Sequence, residues 1–344
     1  MAIPVSEINL SSLPELVSLT RQAFVEGPML VEDYAEAKSL YISETIPKNA
    51  GNTKKYNEID GETYASYKAE GEDNSKARVI MGYNVTMTKR RFSKEIDITY
   101  EARNENRVPE VVGSLTDLSS FCPQRMALDL THRLTFCTAT SYTDMDGETV
   151  STVVGDTYQL VYASHTLSSA ATTFSNVITG NPQFSPGAFQ VARKLTTTQI
   201  LSHFGERRVM KFDTVVTTDD PATIDEVRKL MRSTSDPTQN NPGVVNVQAN
   251  MFRHVILPRL ATTATGAADS TKDKYWGYVA TQGAPQNRWQ AYFAIWEQPN
   301  LATPAPGNNG EDFHNQNWSF AAYCGYGIAT VSPRGILWST GAGA

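Results

Sequence analysis

The chain has 344 residues, 40% hydrophobic and 19% charged, enough to bury a substantial core without disulfide staples. A net charge of −6 excludes a bulk basic field. It therefore excludes a binder whose affinity comes from neutralising many phosphates, though not every contact with DNA.

Cys122, Cys137 and Cys324 are too few and too scattered for a disulfide framework or a CxxC metal site. They read as reduced, buried thiols of a cytosolic protein. The opening Met-Ala-Ile-Pro-Val-Ser-Glu has no basic region leading into an apolar run, so no signal peptide is expected. No apolar stretch approaches the ~20 residues that span a bilayer, and a soluble protein made in the cytoplasm is expected.

Residues 1–47 read as an arm. One amphipathic piece near Leu13, Leu16, Val17 and Phe24 predicts a short helix, and Pro4, Pro14, Pro28 and Pro47 interrupt the remainder. Such a segment cannot close its own core and must lie on the same chain or a neighbouring one. Residues 48–78 carry the densest charge: Lys54, Lys55, Glu58, Asp60, Glu62, Lys68, Glu70, Glu72, Asp73, Lys76 and Arg78, with Tyr56, Tyr64 and Tyr67 as apolar bodies. A solvated surface loop is one account. The other, favoured because long loops are usually functional, is an arm that pairs with a complementary patch on another subunit.

Val79, Met81, Tyr83, Val85 and Met87 alternate with polar or small residues. After the basic turn Lys89-Arg90-Arg91, Ile96, Ile98 and Tyr100 do the same. This predicts an antiparallel pair with one buried face. The period then changes: Val111, Leu115, Leu118, Cys122, Met126, Leu130, Leu134 and Cys137 follow helical spacing, predicting a long helix over about 109–142. At 1.5 Å per residue it would run roughly 50 Å, kinked or split at Pro123 and ended by Asp144-Met-Asp-Gly.

From 150 to 300 short helices mix with strands. Ser185-Pro186 and Asp220-Pro221 each read as an N-cap followed by proline at the first helical position. Strands are expected near 245–257, 275–280, 289–296 and 320–331, with loops at 233–242 and 304–317.

The histidines His132, His165, His203, His254 and His314 form no HxxxH, HxH or HExxH and lie at no ligand spacing from a cysteine, so each reads as structural. Asp144-Met-Asp-Gly-Glu has its glycine fourth and not sixth, so a turn is the better account than a calcium loop. Gly325-Tyr-Gly lacks the third glycine of a phosphate-binding fingerprint, and no GxSxG or P-loop occurs. Lys89-Arg90-Arg91 could touch phosphate, but three charges on a turn are usually solvated or paired. No catalytic residue, cofactor or metal is expected.

The order of parts resembles the major capsid protein of tailed bacteriophages, the Hong Kong 97-type fold. The resemblance is carried by Gly82-Tyr-Asn-Val-Thr-Met-Thr-Lys-Arg-Arg-Phe, by Arg125-Met-Ala-Leu-Asp-Leu-Thr-His-Arg-Leu, by Asn181-Pro-Gln-Phe-Ser-Pro-Gly-Ala-Phe, and by Tyr323-Cys-Gly-Tyr-Gly-Ile-Ala-Thr-Val-Ser-Pro-Arg-Gly-Ile. It implies an α+β fold with an N-terminal arm (1–47), an extended loop (48–80), a peripheral domain (81–150) with a long spine helix, an axial domain (151–317) and a return strand of the peripheral domain (318–344).

It further implies a shell subunit that assembles into hexamers and pentamers around double-stranded DNA, in a virion built in the bacterial cytoplasm. The implied partners are further copies of itself, scaffolding, portal and decoration proteins, and packaged DNA touched non-specifically, with no membrane. Only about 80 residues precede the first core strand, which implies a separate scaffolding protein. Lys54, Lys55, Lys68 or Lys76 could in principle form the lysine–asparagine cross-links known in the type member, but ordinary non-covalent packing is expected. Lys54, Lys55, Glu58, Tyr64, Tyr67, Lys68, Glu72, Arg78, Arg90 and Arg91 are the residues expected, regionally, to touch neighbouring subunits. An encapsulin-type nanocompartment shell is the alternative within the fold, and a cytosolic α/β enzyme with a non-linear site is the remote one.

Overall fold

A computed structural model describes residues 13–26, 31–47, 49–62, 64–105, 108–233, 245–304 and 316–343. Most of the loops expected at 233–242 and 304–317, the arm before residue 13, Pro28 and His314 lie outside the described residues.

The chain opens with helices α1 (Leu13–Glu26) and α2 (Glu32–Ser39), strand β1 (Ile42–Thr45) and the ribbon strands β2 (Thr53–Gly61) and β3 (Val79–Thr88). Strand β4 (Arg90–Ile98), the short α3 (Tyr100–Asn104) and the long α4 (Val108–Thr135) follow, then a small hairpin of β5 (Ser141–Thr143) and β6 (Thr149–Ser151). Next come α5 (Pro186–Thr198), β7 (Thr214–Thr217), α6 (Pro221–Arg232), β8 (Arg253–Ile256) and β9 (Trp276–Val279). The chain closes with β10 (Ala291–Ala302), β11 (Trp318–Thr330) and β12 (Ile336–Ser339). The architecture is α+β.

Helix α4 forms where the apolar spacing required it. Val111, Leu115, Leu118, Cys122, Met126, Leu130 and Leu134 are all buried, a stripe that returns to one face at each turn. That stripe meets the inward side chains of β11 (Trp318, Phe320, Ala322, Cys324 and Tyr326) and of β10 (Ala291 and Phe293). The helix has 28 residues, roughly 42 Å at 1.5 Å per residue, and runs as one helix through Pro123. It stops at Thr135, short of the expected 142, and Asp144 instead turns the β5–β6 hairpin. Its Oδ1 accepts from the amides of Asp146 and Glu148, both at 3.0 Å.

Two four-stranded sheets divide the core. The first has the order β1-β10-β11-β4, with β1 parallel to β10. The second has the order β12-β9-β7-β8, with β7 parallel to β8. Helices α5 and α6 cover one face of the second sheet through Phe189, Ala192, Val227 and Leu230, which meet Val215, Trp276, Tyr278 and Leu337. Its other face (Val216, Val255, Val279, Ile336 and Trp338) joins the core around α4. Both caps form as expected: the Ser185 hydroxyl accepts from the Ala188 amide at 3.1 Å and the Asp220 carboxylate from the Thr223 amide at 2.9 Å.

Several expectations are corrected. Strands β3 and β4 do not pair. Only Lys89 lies between them, and one residue cannot reverse a chain into a hairpin, for which two is the shortest common loop. Strand β3 pairs with β2, and β4 pairs with β11. Strand β10, expected in the axial segment 151–317, is an interior strand of the first sheet. The segment expected to return to that sheet divides its strands: β11 joins the first sheet, and β12 pairs with β9 in the second. The described part of the arm lies on its own chain, one of the two placements expected. Leu16, Ala37, Leu40 and Tyr41 enter the α4 core, and the Tyr41 hydroxyl donates to the Leu130 carbonyl at 2.7 Å.

Candidate assembly surface

The β2–β3 ribbon is the element whose side chains are arranged most unlike a free-standing protein. Its root is tied to the first sheet: Tyr56 and Met87 are buried with Ala294, Trp296, Ala329 and Val331. Tyr56 stacks on Tyr292 at 4.2 Å, and the Trp296 indole donates to the Gly51 carbonyl at 2.9 Å. A register shift then inserts one extra residue into β3: Asn57 lies opposite Asn84 and Ile59 opposite Met81, so Gly82 and Tyr83 together oppose Glu58. Strand β2 keeps its alternation, with Tyr56, Glu58 and Asp60 inward and Asn57 and Ile59 outward, while the bulge reverses the alternation of β3 and turns Val79 and Met81 to the face opposite Val85 and Met87.

Beyond the bulge the aliphatic side chains lie on the outward face. Ile59 is 55% exposed, Met81 71% and Val79 68%. The alternation expected over 79–87 is broken by the bulge: Val85 and Met87 face inward, Val79 and Met81 outward. Meanwhile the ribbon turns carboxylates inward: Glu58 is 2% exposed and Asp60 is buried too. Aliphatic side chains face out and charges face in, the reverse of what a solvated ribbon requires.

The buried charges are held by an ion cluster. Arg334, in the turn between β11 and β12, lies 3.0 Å from Glu58 and 3.2 Å from Asp60. Arg208 lies 3.2 Å from Asp60, and the His203 amide donates to Asp60 at 2.8 Å. The Ser168 amide donates to His203 Nδ1 at 3.2 Å, which leaves the proton on Nε2, and this nitrogen donates to Glu58 at 2.8 Å. Burial alone would raise the Glu58 pKa. The charge of Arg334 and the hydrogen bond from His203 outweigh it and hold the carboxyl below its ordinary range. His203 also packs edge-on to Tyr83 and over Gly82, where a Cβ would meet Nε2 at 2.3 Å. Position 82 is therefore glycine for want of space.

The expected contact residues separate into two groups. Lys55, Tyr64, Tyr67, Lys68, Glu72 and Arg78 face solvent, Tyr67 at 92% exposed, and Arg78 lies over the Phe204 ring at 5.4 Å. The others are engaged within the chain: Lys54 with Glu44 at 2.7 Å, Arg90 with Asp144 at 2.7 Å, Arg91 with Glu297 at 3.4 Å, and Glu58 in the cluster above. Ile59, Val79 and Met81 were not singled out as exposed. For Val79 and Met81 the missing signal was the bulge in β3, which no local pattern marks.

The four described histidines are each partnered: His132 with Thr262, His165 with Asp156, His203 with Glu58 and His254 with Thr217. Among the described residues no group of His, Cys, Asp and Glu could hold a metal ion, and no helix is long and apolar enough to cross a membrane.

No family model matches the sequence, and no curated protein matches it. Solved structures do. One is the capsid structure of cyanophage P-SCSP1u, at 11% identity over 87% of this chain and 86% of that chain, with a TM-score of 0.46. Another is the capsid asymmetric unit of cyanophage Pam1, at 11% identity, 89% of each chain and a TM-score of 0.46. A chain from Gordonia phage Cozz aligns at 11% identity over 88% of this chain and 85% of that one, with a TM-score of 0.49.

Proposed function

We propose that this chain is a shell-forming structural subunit, the major capsid protein of a tailed bacteriophage with a Hong Kong 97-type fold. Copies assemble as hexamers and pentamers of an icosahedral shell around double-stranded DNA, with scaffolding, portal and decoration proteins as partners. The observation that carries this is the inverted β2–β3 ribbon: Ile59, Val79 and Met81 bared on one face, Tyr64 and Tyr67 bared toward the tip, and the carboxylates buried beneath. Covering a large apolar side chain contributes ~1.5–3 kcal/mol, so a second copy is the cover that turns a cost into an association energy. Weak contacts repeated around a closed shell then add multivalently. Charges of both signs on the ribbon's tip give register to that contact more than affinity. The order of parts supports the same reading: an arm on the body, a projecting ribbon, a long helix on one sheet and a second sheet under two helices.

The test is assembly. Light scattering and negative-stain microscopy of the concentrated full chain should show capsomers or closed shells, and I59E/M81E should leave a folded monomer. A wild-type monomer at high concentration, with I59E/M81E behaving identically, would sink the proposal. Shells that enclose a protein cargo and no DNA would mark a nanocompartment instead.

A further inference from the structure

Strand β4 is an edge of the first sheet: its nine residues pair with β11 on one side, and no strand lies on the other. An antiparallel edge turns the N–H and C=O of every second residue away from the sheet. Among the described residues no hydrogen bond outside the β11 ladder reaches the backbone of residues 91–97, so that row is open. An uncovered edge of this length is a template for another strand.

The ladder with β11 fixes where the side chains of β4 point. Phe92, Lys94 and Ile96 stand opposite the inward residues Cys324, Ala322 and Phe320 and share their face. Arg91, Ser93, Glu95 and Asp97 lie on the outward face and are exposed. Two charges of this edge have no opposite charge among the described residues. Lys94 lies 5.9 Å from the Phe121 ring centre and pairs with no carboxylate, and Glu95 pairs with no cation. Arg91 has only a long contact to Glu297, at 3.4 Å, with its side chain 62% exposed. An inward-pointing lysine on an edge ordinarily deters pairing, so the partner has to suit it.

A second copy of β4 suits it in one register. Two copies related by a two-fold axis pair antiparallel about one central residue, and residues of the same face stand opposite each other. Centring on Phe92 sets Arg90 against Lys94 of the other copy. Centring on Lys94 or on Glu95 sets that charge against itself, and centring on Ile96 sets Glu95 against Asp97. Like charges directly opposite are destabilising. Centring on Ser93 avoids every such clash: Arg91 faces Glu95 and Phe92 faces Lys94, each twice by symmetry. Beside Phe92 the inward face borders a cleft of about 350 Å³ that Phe121, Leu128 and Asp146 also line. The incoming Lys94 therefore meets an aromatic face and a carboxylate. We propose that β4 is a second assembly surface, at which two copies of this chain join edge to edge, centred on Ser93, so that their first sheets run on as one. The contact is isologous, each copy giving the same residues, whereas a ribbon laid on a neighbour's body is heterologous. It uses no residue of the ribbon.

Opposed residues of an antiparallel pair have Cα atoms about 4.5–5.5 Å apart, within reach of a disulfide. S93C, mildly oxidised as the native chain at high concentration, should therefore give a disulfide-linked dimer on a non-reducing denaturing gel. The wild type, whose three cysteines are buried, should give none. E95C should give none either, because it faces Arg91 and its own copy is too distant. Adding R91E to S93C should lower the dimer yield about tenfold, two attractive pairs becoming two repulsive ones, and R91E/E95R should restore it. Adding I59E/M81E should leave the yield unchanged. Absence of the S93C dimer from oligomers that the wild type forms overturns the proposal and leaves the ribbon contact standing. Equal cross-linking of E95C and S93C also overturns it, as does a charge swap that restores nothing.

Discussion

Replacing Arg334 with methionine removes a side chain that touches both inward carboxylates of the ribbon while nearly conserving volume. The guanidinium is almost wholly buried, 3.0 Å from Glu58 and 3.2 Å from Asp60. Deleting one partner of a buried ion pair typically costs ~3–5 kcal/mol, because the charge left behind stays desolvated. Here Glu58 keeps His203 and Asp60 keeps Arg208, so a loss near the lower end, about 3 kcal/mol, is expected. That is a large fraction of the ~5–15 kcal/mol by which folded domains are stable. Denaturant unfolding measures the total, and hydrogen exchange locates it. Amides of β2 and β3 should exchange faster in R334M while those of α4 keep their protection, because the core under α4 does not use Arg334. Adding E58Q should recover part of the loss, with a coupling of about 1 kcal/mol or more in the double-mutant cycle. A loss under about 1 kcal/mol, with β2 exchange unchanged, would refute the idea that the cluster holds the ribbon down.

Acid should weaken the fold in two windows. Burial lowers the pKa of His132 and of His254 to about 4, so between about 6.5 and 4 the unfolded chain binds more protons than the folded one and stability falls as pH falls. A full shift of this size at one histidine is of order 3 kcal/mol, and H132Q should flatten the slope of denaturation midpoint against pH in that window. An unaltered slope would assign the dependence to other groups. Glu58 and Asp144, held below the ordinary carboxylate range, add a further loss only at lower pH, as they are protonated. G82A should destabilise by about 1–3 kcal/mol, since its methyl group collides with the His203 ring and forces the ribbon off the cluster; calorimetry that finds it neutral would deny the close packing. S185A should cost about 1 kcal/mol in denaturant midpoint by leaving the Ala188 amide without its acceptor, with no effect on ribbon exchange.

The sequence by itself determined the elements whose signal is local. The α4 stripe repeats at helical spacing, so a chain that buries Leu115, Leu118, Met126 and Leu130 has little choice of period. Ser185-Pro186 and Asp220-Pro221 carry both cap and first-turn geometry in adjacent residues, and β11 alternates over enough residues to be read. Tertiary structure decided whatever depended on partners far along the chain. Strands β7 and β12, four residues each and buried throughout, carry no alternation and exist only as parts of a sheet. The pairing of β3 with β2 and of β4 with β11 was open until hydrogen bonds chose between them.

The ribbon shows the limit most clearly. Its charge density was legible, and so was its standing as a separate part. Which charges face water was not, because Glu58 is tolerable inside only with His203 145 residues away, and Asp60 only with Arg334 274 residues away. Desolvating a carboxylate costs several kcal/mol, and no neighbour in sequence repays it. Nor does any local pattern announce the bulge that turns Val79 and Met81 to the exposed face, beside Ile59 and opposite the buried charges.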